Sequence, residues 1–233
     1  MANILVAGIY VADRPNSAAH IIYELAKSKR HSVEQRWIAL AVDGNGCADL
    51  PCTYKVVTRA RPKFPLLDEL TEDASMFDWV VLCDDDIEMG PDFLDTLIHW
   101  ADQCDFALAQ PARSPDSFTD HPIVQQLPGV SARRTRFVEI GPVVCLRQDA
   151  IAHLMPFGAG IGMGWGLDFV WPAIMEQAGL KMGIVDAAPV AHRLRRPAVN
   201  YDWTKAFQAM SNTLAGSRHL KLVDSFSVLE IFV

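Results

Sequence analysis

Two hydrophobic rhythms alternate along this chain, and the switches between them mark its elements. Ile4 to Val11 is a continuous apolar run, the pattern of a strand buried on both faces. Ala18, Ile21, Ile22 and Leu25 then recur at helical spacing, which predicts a helix capped by Asn16 or Ser17 and running to about Lys29. Arg36 to Val42 predicts a second strand, closed by the turn signal Asp43-Gly44-Asn45-Gly46, and Tyr54 to Thr58 a third. Pro65 opens a short helix carrying Leu66, Leu67 and Leu70. Phe77 to Leu82 reads as another buried strand, Pro91 to Gln103 as an amphipathic helix, and Phe106 to Ala109 as a short strand. This order predicts an α/β fold, Rossmann-like, with a central, mostly parallel sheet flanked by helices on both faces.

The second half has a different texture. Pro111 to Gly129 holds four prolines and no periodicity, so a surface excursion is expected. Phe137 to Leu146 resumes strand character. Five glycines crowd the ten residues from Phe157 through Ala159 to Gly166, and a helix is predicted over Leu167 to Ala178, with Pro172 near its start. Short strands are expected at Met182 to Val185 and Pro189 to His192, and a last helix at Trp203 to Leu214. The apolar tail, Leu222 to Val233, is expected to dock on the body or on a second subunit, which is the route to an oligomer. No repeat or long linker divides the chain, so one domain is expected over residues 1–233: a nucleotide-binding half (1–110), an acceptor and catalytic half (111–200), and a C-terminal helix and tail (201–233).

Composition narrows the setting. Of 233 residues half are hydrophobic and a fifth charged, ordinary for a globular chain. No stretch approaches the roughly 20 apolar residues of a membrane span. The first residues enter a strand with neither the basic flank nor the cleavage site of a signal peptide. Five cysteines, an odd number with no Cys-x-x-Cys pair, indicate neither a disulfide framework nor a zinc knuckle, and a reducing cytoplasm is the expected location. A net charge of −7 argues against nucleic acid as the partner.

The chemistry concentrates at Cys83-Asp84-Asp85-Asp86-Ile87, directly after a buried strand. Adjacent carboxylates repel one another and are costly to bury without compensation. A hard divalent cation, Mg²⁺ or Mn²⁺, would supply it through oxygen ligands. Side-chain alternation lets Asp84 and Asp86 point together while Asp85 points elsewhere. An acidic turn leading into the next helix fits the same spacing.

Three segments in order carry a family resemblance. Phe77 to Asp86 resembles the strand and Asp-x-Asp motif of family-two-like sugar transferases. Gly164-Trp165-Gly166-Leu167-Asp168 resembles the Gly-Trp-Gly-x-Glu-Asp motif of the β-galactosyltransferase group, with Leu167 where that group has its first acid. Val185 to Arg193 is similar to the late strand whose histidine completes a metal site. Residues 4–200 thus resemble GT-A glycosyltransferases, closest to a group of bacterial and plant glycosyltransferase-like proteins.

The resemblance implies an enzyme that uses Mn²⁺ or Mg²⁺ to move a sugar from a nucleotide-sugar donor, a UDP-sugar first, to a sugar or other hydroxyl acceptor. Asp84, Asp86 and His192 would hold the metal, with Asp84 alternatively on the ribose. Asp13, Asp43, Lys63, Asp84, Asp85 and Arg193 would contact the donor, with Arg195 and Arg196 beside Arg193 as further phosphate clamps. Asp168 would be the base of an inverting displacement, with Glu139 or Asp186 in reserve. As bare residues, His192 also reads as a surface histidine, Asp168 as a helix N-cap, and Asp13, Asp43 and Lys63 as loop charges. Trp165 fits either acceptor stacking or plain packing. Two other classes fit parts of the pattern: a nucleotidyltransferase, disfavoured because residues 9–16 hold no glycine, and a non-catalytic nucleotide-sugar-binding module, favoured by Leu167.

Overall fold

Val6 and Val81 face one side of a central sheet and Leu5 and Val80 the other, as strand alternation requires, and each side has its own core. The structure is a computed structural model that describes residues 1–44, 46–158, 160–195 and 202–233; Asn45, Ala159 and Arg196 lie outside the described residues. The first half contributes β1 (Asn3–Val11), α1 (Ala18–Leu25), β2 (Ser32–Leu40), β3 (Thr53–Val57), α2 (Lys63–Leu70), β4 (Trp79–Cys83), β5 (Ile87–Met89) and α3 (Phe93–Gln103). The second half contributes β6 (Phe106–Arg113), β7 (Ala132–Thr135), β8 (Val143–Arg147), α4 (Gln148–Leu154), α5 (Leu167–Ala178), β9 (Lys181–His192), α6 (Trp203–Gly216), α7 (Leu222–Ser225) and β10 (Val228–Phe232).

Among the described residues these ten strands form one sheet, ordered β10-β7-β9-β6-β8-β4-β1-β2-β3, with β5 paired to β9. The β3-β2-β1-β4 half is parallel. Beyond it β8 and β7 run antiparallel to their neighbours, while β6 and β9 are parallel to each other, so the sheet is mixed but mostly runs one way. Helices α1 and α3 cover one face with Ile21, Leu25, Leu94 and Leu97, and α2, α4 and α5 cover the other with Leu67, Ile151 and Val170.

Several boundaries differ from the sequence expectation. Helix α1 stops at Leu25 rather than near Lys29, because Asp95 of α3 captures the Ser28 hydroxyl at 2.5 Å and the Lys29 amide at 2.9 Å. The Pro111 stretch is not all excursion. Strand β6 runs through Pro111 to a buried Arg113, and a register shift against β9 accommodates the proline. Strand β7 was not expected; its polar sequence conceals a buried Arg133 that pairs with Asp186. Helix α4 was also unexpected at seven residues, and the two short late strands are one, β9. The apolar tail docks on the body, with β10 antiparallel to β7 and Phe232 against Phe106.

Candidate active site

The three acids leave β4 at the C-terminal edge of the parallel half, where open α/β sheets bind ligands. Each acid has a different surrounding. Asp86 leads straight into β5, and β5 pairs with β9 so that Ile87 stands opposite His192. That register brings Asp86 Oδ2 to 3.3 Å from His192 Nε2, across 106 residues of chain. Arg195 Nε reaches the same oxygen at 3.2 Å. Burial alone would raise the Asp86 carboxyl, but His192 and Arg195 outweigh it and hold it below the usual carboxylate range. The His192 amide donates to Ser117 Oγ at 3.0 Å, and Phe118 stands edge-on to its ring.

Asp85 turns inward and is 3% exposed. Its carboxylate accepts from the Val11 amide at 2.7 Å and pairs with Arg195, while its carbonyl accepts from the Ser17 amide at 2.6 Å. It therefore ties the end of β1 and the start of α1 to the motif. Burial pushes its carboxyl up to about 6, against the pull of Arg195 and the Val11 amide. Asp84 faces Lys63, whose Nζ lies 2.5 Å from Oδ1. Gly141 leaves little room beside them: a Cβ there would sit 3.2 Å from Asp84 Oδ2 and 3.3 Å from Lys63 Nζ.

Asp168 approaches from the other side of Ile140 and Gly141. Its Oδ1 accepts from the Ile140 amide at 2.7 Å. Gly166, not Asp168, caps α5, so Asp168 lies inside the first turn. Burial pushes its carboxyl up to about 7; the Ile140 amide pulls down, the neighbouring Glu139 charge pushes up again, and Lys63 pulls down weakly. The glycine-rich segment reaches this place by packing on α2. The Phe64 amide donates to the Gly162 carbonyl, and Gly164 holds φ +87° with the Phe64 ring where a Cβ would stand. Lys63, Asp84, Gly141, Ile140 and Asp168 thus form one continuous wall.

Asp13 and Asp43 lie together at the ends of β1 and β2, with Asp13 Oδ2 accepting the Asp43 amide at 2.8 Å. Arg193, just past the end of β9, turns away from Asp86 to Glu88 and Asp116 at the surface. Glu139 is buried against Arg113 at 2.8 Å, and its amide donates to Gln110. Asp186 is fully buried in a two-point pair with Arg133, so it is no reserve base. Among the described residues no three candidate metal ligands cluster; Asp86 and His192 come as a pair, with Asp84 on Lys63. Sequence reasoning missed the Arg113–Glu139–Gln110 network, because it read Pro111 as the end of a strand.

No protein-family model matches the sequence, and no curated protein sequence matches it. Among solved structures the fold is similar to GalNAc-T7 with UDP, GalNAc and Mn²⁺, at 12% identity and a TM-score of 0.57 over 87% of this chain. The chain spans 45% of that GalNAc-T7 chain. It is also similar to S. aureus TarS 1–349 in complex with UDP-GlcNAc, at 9% identity and a TM-score of 0.57, covering 94% of this chain and 68% of that one. Both are GT-A glycosyltransferases, and the fold of this chain is GT-A-like. Among the described residues no helix is long and apolar enough to cross a membrane.

Proposed function

We propose that this protein is a metal-dependent glycosyltransferase that moves a sugar from a nucleotide-sugar donor, a UDP-sugar first, to an acceptor hydroxyl with inversion. The observation that carries the proposal is the wall from the acid triplet to Asp168 in a GT-A-like sheet, with Asp86 facing His192 at its edge. Both compared structures contain UDP or a UDP-sugar, and one contains Mn²⁺.

Asp86 and His192 offer two donors to a borderline divalent ion. A carboxylate oxygen and an imidazole nitrogen face each other at 3.3 Å, a mixed donor pair that suits Mn²⁺ better than Ca²⁺. Asp86 and His192 would hold the ion, with Asp84 a third donor once it parts from Lys63. Bound there, the ion would stabilise the charge growing on the leaving diphosphate. Arg195 reaches the same Asp86 oxygen at 3.2 Å and so would compete with the ion for it.

The remaining roles belong to side chains. Asp13, Asp43 and Asp84 bind the nucleoside. Lys63, freed from Asp84, meets the diphosphate, and Arg193 lies at the outer rim. Asp85 holds the strand end that carries the other two acids. Asp168, its carboxyl raised to about 7, takes the proton of the acceptor hydroxyl in its ionised form as the hydroxyl attacks. With base and leaving group on opposite faces of the reacting carbon, the product anomer is opposite to the donor's.

The non-catalytic reading keeps one specific support: Leu167, where an acid is expected, is buried in the core. One experiment separates the two. Calorimetry should show UDP binding strengthened by Mn²⁺, Asp86→Ala should abolish that dependence without unfolding, and the wild type should slowly hydrolyse a UDP-sugar without acceptor. Equal UDP affinity with and without chelator rules out the metal-bridged reading, and metal-dependent binding with no hydrolysis or transfer leaves a binding module.

A further inference from the structure

Strand β10 closes one edge of the sheet, and its outer side has no neighbouring strand among the described residues. Its inner side is held. The Ser131 amide donates to the Phe232 carbonyl at 2.8 Å, and the Phe232 ring packs on Phe106. The backbone groups of successive strand residues point to opposite edges, so Glu230 and Phe232 turn theirs toward β7 and Ile231 turns its own outward. The side chains are open as well: Leu229, Ile231 and Val233 are 52%, 54% and 88% exposed. Edge strands are ordinarily blunted by lysine, proline or a bulge. The opposite edge of this sheet, β3, carries Lys55 at its centre. In β10 a bulge touches only the start, between Val228 and Glu230, and Glu230 is its one charge. Arg134 stands across from that carboxylate on β7 of the same chain.

We propose that this edge pairs with the β10 edge of a second copy of the chain, antiparallel about a two-fold axis at Ile231, so that one sheet runs through both copies. The strand is complementary to itself, as a two-fold contact requires. With the axis at Ile231, its N–H and C=O meet the C=O and N–H of Ile231 in the copy, which satisfies both outward groups. The same register brings Leu229 toward Val233 and sets Glu230 against Phe232, so apolar positions meet and no two carboxylates oppose. Moving the axis to Glu230 would set the two Glu230 side chains directly opposite, and like charges there repel. A five-residue edge is smaller than the roughly 800 Å² per partner of a standard interface, so the dimer forms at about micromolar concentration. The pairing does not depend on the glycosyltransferase reading.

The test is sedimentation equilibrium of the full chain from about 1 to about 200 μM. The average mass should rise with concentration from that of one chain toward that of two. Ile231→Lys, a change at a half-exposed side chain, should weaken association about tenfold or more, because it sets two ammonium groups on the axis. Its circular dichroism should match the wild type. Cross-linking fixes the register. In a Cys47→Ser/Cys52→Ser background, which removes the exposed thiols, Ile231→Cys should form a dimer disulfide on treatment with diamide and Glu230→Cys should not. Only the axis residue meets its own copy, with Cα atoms at about 5.5 Å, within disulfide reach. The mass of a single chain at every concentration overturns the proposal, as does association that the folded Ile231→Lys variant leaves unchanged. Cross-linking through Glu230→Cys in place of Ile231→Cys overturns the register. Growth beyond two chains would mean that β10 meets a different surface, such as the β3 edge, and would overturn the two-fold pairing.

Discussion

Asp168→Asn should change stability and turnover in opposite directions. The wild-type carboxyl moves from 3.8 in the unfolded chain to about 7 in the folded one. Between those values the folded protein keeps a proton that the unfolded chain has lost, so unfolding releases it and stability falls as pH rises through the window. At about 1.36 kcal/mol for each pH unit the loss is at most about 4 kcal/mol, and solvent contact at this half-buried side chain makes it smaller. The penalty is absent below about pH 4 and complete above about pH 7. An asparagine carries no such charge, and its carbonyl can still accept the Ile140 amide. Urea unfolding should therefore show the variant equal to the wild type near pH 4 and more stable at pH 8. UDP-sugar turnover should rise with pH through about 7 in the wild type and fall by roughly 10²- to 10⁴-fold in the variant, with donor affinity little changed. A variant less stable by the same amount at both pH values would make Asp168 only a hydrogen-bond acceptor for Ile140. Full turnover would move the base elsewhere, with Glu139, beside Ile140 in the chain and paired with Arg113, the next carboxylate to replace.

Two further predictions test the surroundings. Arg195→Met should tighten Mn²⁺ binding without nucleotide about tenfold, the worth of one charged hydrogen bond at Asp86; unchanged affinity by calorimetry would show that Arg195 and the cation do not compete. Asp186→Ala should cost about 3–5 kcal/mol in urea unfolding, because it leaves Arg133, which is 2% exposed, without its counter-charge; a loss under about 1 kcal/mol would mean that the Ile123 and Gln125 carbonyls, which already accept from its guanidinium at 2.8 Å, are enough to hold the buried charge.

The sequence alone determined the parts of this protein that depend on local periodicity. The buried strands at Ile4 and Phe77, the helix over Leu167 to Ala178 and the acid triplet at a strand end are all written in runs of a few residues, where burial on two faces or one selects the residue type directly. The polar strand β7 and the continuation of β6 past Pro111 were not legible this way, because an ion pair and a register shift supply what hydrophobicity and an amide would otherwise provide. The site shows the same division. That Asp84, Asp85 and Asp86 need compensating partners is visible in their adjacency. Which neighbour each one meets was decided by tertiary structure. Only the pairing of β5 with β9 sets His192 against Asp86, and only the packing of the glycine segment on α2 places Lys63 on Asp84's side of the wall that ends at Asp168. Those contacts join residues up to 106 positions apart. No spacing rule along one chain encodes them, because they follow from how strands register and layers pack.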